Sequence, residues 1–121
     1  MLKFGVERIV LYHNPKCSKC RGALELLLER NARSDLIEYL KSPPSRADLE
    51  RILRLLQDPS ADLVRKDSHF EALGLNASDY ESAERVLELL LEHPELMQRP
   101  LAVRDDKALL GRPPEKLLEL L

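Results

Sequence analysis

Leucine supplies 27 of the 121 residues, whereas valine supplies 5 and isoleucine 3. That ratio limits how much sheet the chain can build, because strands favour β-branched and aromatic side chains while leucine favours helices. Aromatic residues are only 4% and tryptophan is absent, which points the same way. Strands are therefore expected only where the scarce Val and Ile gather. A chain of this length has room for one core, so residues 1–121 are read as one domain. A hydrophobic share of 44% beside a charged share of 33% excludes both a disordered chain and a membrane protein. The opening MLKFGVERIVLYHNP carries Glu7 and Arg8 and has no signal-type apolar run, so a cytoplasmic protein is expected. A net charge of -2 offers no global field for nucleic acid or an anionic membrane, so any anion site must be local.

Periodicity gives an order of elements. Arg8 to Tyr12 (RIVLY) reads as a buried strand ended by His13-Asn14-Pro15. Cys17 to Arg30 places Ala23, Leu24, Leu27 and Leu28 at helical spacing, with Asn31 as a left-handed cap. Asp35 to Leu40 reads as a second strand, which makes the first 40 residues a βαβ unit. Pro43-Pro44 breaks the chain. Ser45 with Asp48 is a helix start, and further helical stretches are expected through Arg65, over His69–Leu73, and from the Ser78/Glu81 signal along Ala83, Leu87, Leu90 and Leu91. Pro100–Val103 and Lys107–Leu110 read as a hairpin, and Glu115–Leu121 as a last helix. The expected class is α/β, with a helical insertion over about residues 43–94 between the second and third strands.

The two cysteines, Cys17 and Cys20, are too few and too close for a disulfide framework, so they indicate thiol chemistry or metal. Cys17 falls at a strand-to-helix turn, where free backbone N–H groups and the helix dipole favour a thiolate. Lys16, Lys19, Arg21 and His13 are nearby cations in sequence that lower a thiol's pKa. Cys20, one turn further on, is placed as a resolving thiol. Zinc would need a second ligand pair, and His13, His69 and His93 stand apart; covalent haem would need His where Arg21 stands. No metal is expected. Burial of both cysteines as small core residues is the bland alternative, against which Pro15, Lys16 and Lys19 suit an exposed turn.

Three of the 12 arginines occupy turn-like places: Arg65 before Lys66-Asp67, Arg99 before Pro100 and Arg112 before Pro113. Their planar donor forks suit oxyanions, although spacing alone does not single these three out. Pro100 opens a strand after a long helical segment, where thiol-redox folds of the βαβ plus ββα type carry a cis proline.

The segments YHNPKCSKCRGALELLLERN, LIEYLKSPPSRADL, LVRKD, EHPELMQRPLAV and GRPPEKLLELL together resemble the glutaredoxin-dependent arsenate reductase family, ArsC, over nearly the whole chain. The resemblance implies a thioredoxin-like fold and reduction of arsenate to arsenite. It implies Cys17 as nucleophile, Arg65, Arg99 and Arg112 as oxyanion ligands, His13 as a tuner of the thiolate and Pro100 as the cis proline. It also implies glutathione as co-substrate, no bound cofactor, and glutaredoxin or thioredoxin as partner. Cys20 departs from the glutaredoxin-dependent pattern. It is similar to two sister branches: ArsC-like thiol reductases that use a CxxC pair, and Spx-like redox-sensing regulators that bind RNA polymerase.

Overall fold

In a computed structural model, residues 8–121 are described. The one-domain reading of 1–121 includes residues 1–7, which lie outside the described residues and are also the first seven of the stretch read for a signal peptide. Strand β1 (Ile9–His13) leads into helix α1 (Ser18–Glu29), and strand β2 (Ser34–Glu38) returns parallel to β1 with Ile9 opposite Ser34 and His13 opposite Glu38. Asn31, at φ 56, makes the left-handed turn that ends α1. Strand β3 (Leu101–Arg104) runs antiparallel to β1, pairing Leu11 with Ala102, and β4 (Lys107–Leu110) pairs with β3. The sheet order is β2-β1-β3-β4.

Alternation along the strands sorts the core into two halves. Ile9, Leu11, Ala102 and Leu109 face α1 and the C-terminal segment, meeting Ala23, Leu27, Leu117 and Leu120. Tyr12, Leu101, Val103 and Leu110 face the other way, into the leucine-rich insertion. Both sheet faces are covered, which is why β1 reads as a continuous apolar run. The insertion holds helices α2 (Arg46–Leu55), α3 (Ser68–Ala72) and α4 (Ala83–Glu92) with short 3-10 turns between them. A full capping box at Ser45 and Asp48 starts α2.

Several expectations are corrected. The strand expected over Asp35–Leu40 stops at Glu38, where Lys41 and Ser42 N–H groups both close a turn onto the Glu38 carbonyl at 2.9 Å. Helix α4 is capped by Ser82, whose side chain accepts from the Arg85 N–H; Ser78 lies instead in a one-turn 3-10 segment capped by Asn76. The buried face of α4 is Val86, Leu87, Leu89 and Leu90, so Ala83 is not part of it. The C-terminal helix is 3-10 over Pro114–Leu120. The middle of the chain is not helical throughout: isolated bridges tie Leu56 to Ala108 and Val64 to Met97. Backbone pairing between distant segments made these two crossings, and local periodicity does not register it.

Candidate active site

The turn after β1 is held by Asn14. Its side-chain oxygen accepts from the Lys16 N–H at 3.0 Å, and its carbonyl accepts from the Cys17 N–H at 2.9 Å. Cys17 thereby becomes the N-cap of α1, in extended backbone (φ -97, ψ 122) with no short side-chain capping bond. The groups that act on its sulfur are the Cys20 N–H and thiol and the Arg99 guanidinium. Pro15, Lys16 and Lys19 are exposed as expected, yet the cysteines beneath them are buried: Cys17 is 9% accessible and Cys20 0%.

Burial opposes the Cys17 thiolate, but the donors from Cys20 and the charge and N–H of Arg99 outweigh it and bring the pKa down to about 7. Burial, with the neighbouring Cys17, pushes the Cys20 thiol up to about 11. One sulfur is thus about half ionised at neutral pH and the other stays a protonated thiol. The activating cation comes from the far side of the insertion, where sequence proximity suggested Lys16, Lys19, Arg21 and His13. Arg21 donates to the Pro15 carbonyl at 2.9 Å. His13 is buried at the end of β1, its Nδ1 has no partner among the described residues, and burial lowers its pKa, so it stands neutral near pH 7.

Arg99 reaches the cysteines because the segments around residues 63–65 and 96–98 are zipped together. The Arg65 N–H donates to the Leu96 carbonyl and the Gln98 N–H to the Leu63 carbonyl, both at 2.7 Å. This brings Arg65 and Arg99 to one cleft of about 350 Å³ that Asn14 and Tyr39 also line. Arg65 pairs with Asp67 at 3.1 Å. Arg112 is placed differently: its Nε donates to the Arg99 carbonyl at 2.7 Å, while it lines a neighbouring cleft of about 370 Å³ with Gln98, Lys66 and Lys116. Two of the three arginines therefore share the cleft, and the third braces the backbone of one of them from next door. The Arg99–Pro100 peptide bond is cis, and so is Arg112–Pro113. Beneath Pro100, Gly111 leaves little room for a side chain. A Cβ there would meet Leu117 and the Pro100 ring at 3.0 Å, and the Gly111 N–H donates to the Pro100 carbonyl at 2.8 Å.

Tyr39 has no counterpart among the residues singled out from sequence. It is 0% accessible, its hydroxyl has no partner among the described residues, and its charge neighbours are Arg99, Cys20, Arg65 and Cys17. Its place at the end of β2, just ahead of the Pro43-Pro44 break, was the available signal. Among the described residues there is no helix long and apolar enough to cross a membrane, and no group of three His, Cys, Asp or Glu side chains arranged for a metal ion.

Known proteins are similar to this chain over most of its length. The chain is 38% identical over 116 residues to the uncharacterized protein YfgD of Escherichia coli K12, covering 94% of this chain and 97% of that protein. It is 37% identical over 111 residues to an arsenate reductase of Neisseria meningitidis, covering 90% and 94%. The solved structure of an arsenate reductase from Vibrio cholerae superposes with a TM-score of 0.83 at 36% identity, over 95% of this chain and 98% of that one. These likenesses bear out the mixed α/β, thioredoxin-like architecture. The ArsC family model matches residues 12–120, spanning the Cys17 turn, the zipped insertion and the Arg112 loop, and the chain belongs to the ArsC family.

Proposed function

We propose that the chain is an arsenate reductase that uses Cys17 as its nucleophile. The observation that carries the reading is a thiol held at about 7 on a helix N-terminus with an arginine against it. The names of its relatives supply the substrate. In the first step the Cys17 thiolate attacks arsenic of dihydrogen arsenate. One oxygen leaves as water after taking a proton, and a Cys17–S–As bond remains. Arg99 and Arg65 neutralise the oxyanion, and Arg112 swings to it from the adjoining cleft.

In the second step a second thiol attacks the Cys17 sulfur and breaks the S–As bond. The thiol's electron pair forms the new S–S bond, the electron pair of the broken S–As bond stays on arsenic and reduces As(V) to As(III), and the thiol's proton goes to the departing arsenite. Glutathione, with glutaredoxin or thioredoxin recharging the cycle, or Cys20 supplies that thiol, and the reducing cytoplasm is the compartment such a cycle needs. His13, neutral and buried, tunes the turn by shape and not by charge. The test is arsenate-dependent NADPH oxidation with glutathione, glutathione reductase and glutaredoxin, repeated with the thioredoxin system. Activity is expected with one of them and lost in Cys17→Ser; a fully active Cys17→Ser enzyme refutes the nucleophile.

A second reading has its own observation. Cys20 lies near enough to Cys17 for each thiol to shift the other's pKa, and a general thiol/disulfide reductase would join the two in a disulfide. That reading predicts a two-dalton mass loss on mild oxidation and protein-disulfide turnover without arsenate.

A further inference from the structure

Buried polar groups are paired in more than about 90% of cases, so an unpaired one marks a place where a partner is missing. Two such atoms, the Tyr39 hydroxyl and the Arg99 Nε, belong to residues lining the same cleft. The Tyr39 ring is fully buried in the same core cluster as Tyr12, Leu63 and Met97, and the backbone turn closed onto the Glu38 carbonyl holds its main chain, so the hydroxyl is kept in place away from bulk water. Of the three arginines, Arg65 is engaged by Asp67 and Arg112 stands in the next cleft, whereas Arg99 keeps a buried N–H unused.

We propose that the Tyr39 hydroxyl is a neutral hydrogen-bond donor to the tetrahedral oxyanion bound beside Arg99 and Arg65, a substrate-binding residue additional to the arginines. The assignment rests on the oxyanion reading of the cleft given above. A phenol suits the position because burial raises its pKa, which keeps the proton on the oxygen and the oxygen uncharged next to an anion. The arginines supply charge from flexible stems. Tyr39 supplies a donor whose direction is set by packing before the ligand arrives, the arrangement that costs least ordering on binding.

Tyr39→Phe separates binding from folding. The hydroxyl has no partner among the described residues, so the variant should melt at or above the wild-type temperature. Cys17 should be alkylated by iodoacetamide at the wild-type rate when arsenate is absent. The arsenate concentration that half-protects Cys17 from alkylation should rise roughly ten- to hundred-fold, the range for a hydrogen bond to a charged group. An unchanged half-protection concentration overturns the proposal, whatever the melting temperature. If arsenate protects the wild type but is not turned over, the reductase reading fails while the variant's half-point still decides the Tyr39 assignment. If arsenate does not protect the wild type at any concentration, both fail.

Discussion

Replacing Arg99 tests whether a residue remote in sequence sets the reactivity of Cys17. Arg99→Met keeps an unbranched side chain and removes both the charge and the N–H donors. A hydrogen bond to a charged group is worth about 1.5–3 kcal/mol, and about 1.4 kcal/mol corresponds to one pH unit. With burial still opposing the thiolate, the Cys17 midpoint should climb from about 7 towards its ordinary 9.0, to roughly 8–9. At pH 7 the thiolate fraction then falls from about one half to between roughly one tenth and one hundredth. The assay is the rate of iodoacetamide alkylation of the Cys17 peptide, followed by mass from pH 5 to 10. Cys20, held at about 11, stays silent over most of that range. The midpoint is the proper readout and not the rate at one pH, because a more basic thiolate is also more nucleophilic and lifts the plateau. Arg99→Lys restores the charge without the fork and should return the midpoint part of the way. A midpoint that stays near 7 in Arg99→Met would show that the Cys20 N–H and the helix terminus act without Arg99.

Arg112→Ala should weaken arsenate binding by about ten-fold while leaving the Cys17 midpoint in place, since Arg112 braces the Arg99 carbonyl and lies in the adjoining cleft; KM and alkylation profiles measured side by side check this. Gly111→Ala should cost about 1–3 kcal/mol in chemical denaturation, because the new methyl meets Leu117 and Pro100 at 3.0 Å. The Cys17 pKa is lower in the folded than in the unfolded chain, so its thiolate stabilises the fold above the unfolded value of 9.0, and that contribution is lost as pH falls through about 7. The stability advantage of wild type over Cys17→Ser should accordingly grow, by on the order of 2 kcal/mol, between pH 7 and pH 9; an advantage independent of pH over that window contradicts the depressed pKa. Cys20→Ser should abolish arsenate turnover with thioredoxin while sparing it with glutathione and glutaredoxin if Cys20 is the resolving thiol, and spare both if it is not.

Local patterns carried the outline of this protein. The scarcity of Val and Ile confined the strands, the Ser45–Asp48 box and Asn31 marked helix ends, and CSKC after an apolar run placed a thiol on a helix N-terminus. Each of these is an interaction between residues a few positions apart, so the chain itself encodes it. Ser78 misled because a capping residue works only where the next residues go on to form a helix, and the backbone there makes a single 3-10 turn before Ser82 takes over.

The site's chemistry is different in kind. Lys16, Lys19 and Arg21 surround Cys17 in sequence, yet the cation that acts on its sulfur is Arg99, delivered by the pairing of residues 63–65 with 96–98. The neutrality of His13, the separation of Arg112 from Arg65 and the unpartnered hydroxyl of Tyr39 likewise follow from burial and from contacts across the fold. Charge and desolvation act through space at a few ångströms. The chain alone therefore determined which groups could do chemistry, and only the tertiary structure decided which of them meet and in what protonation state.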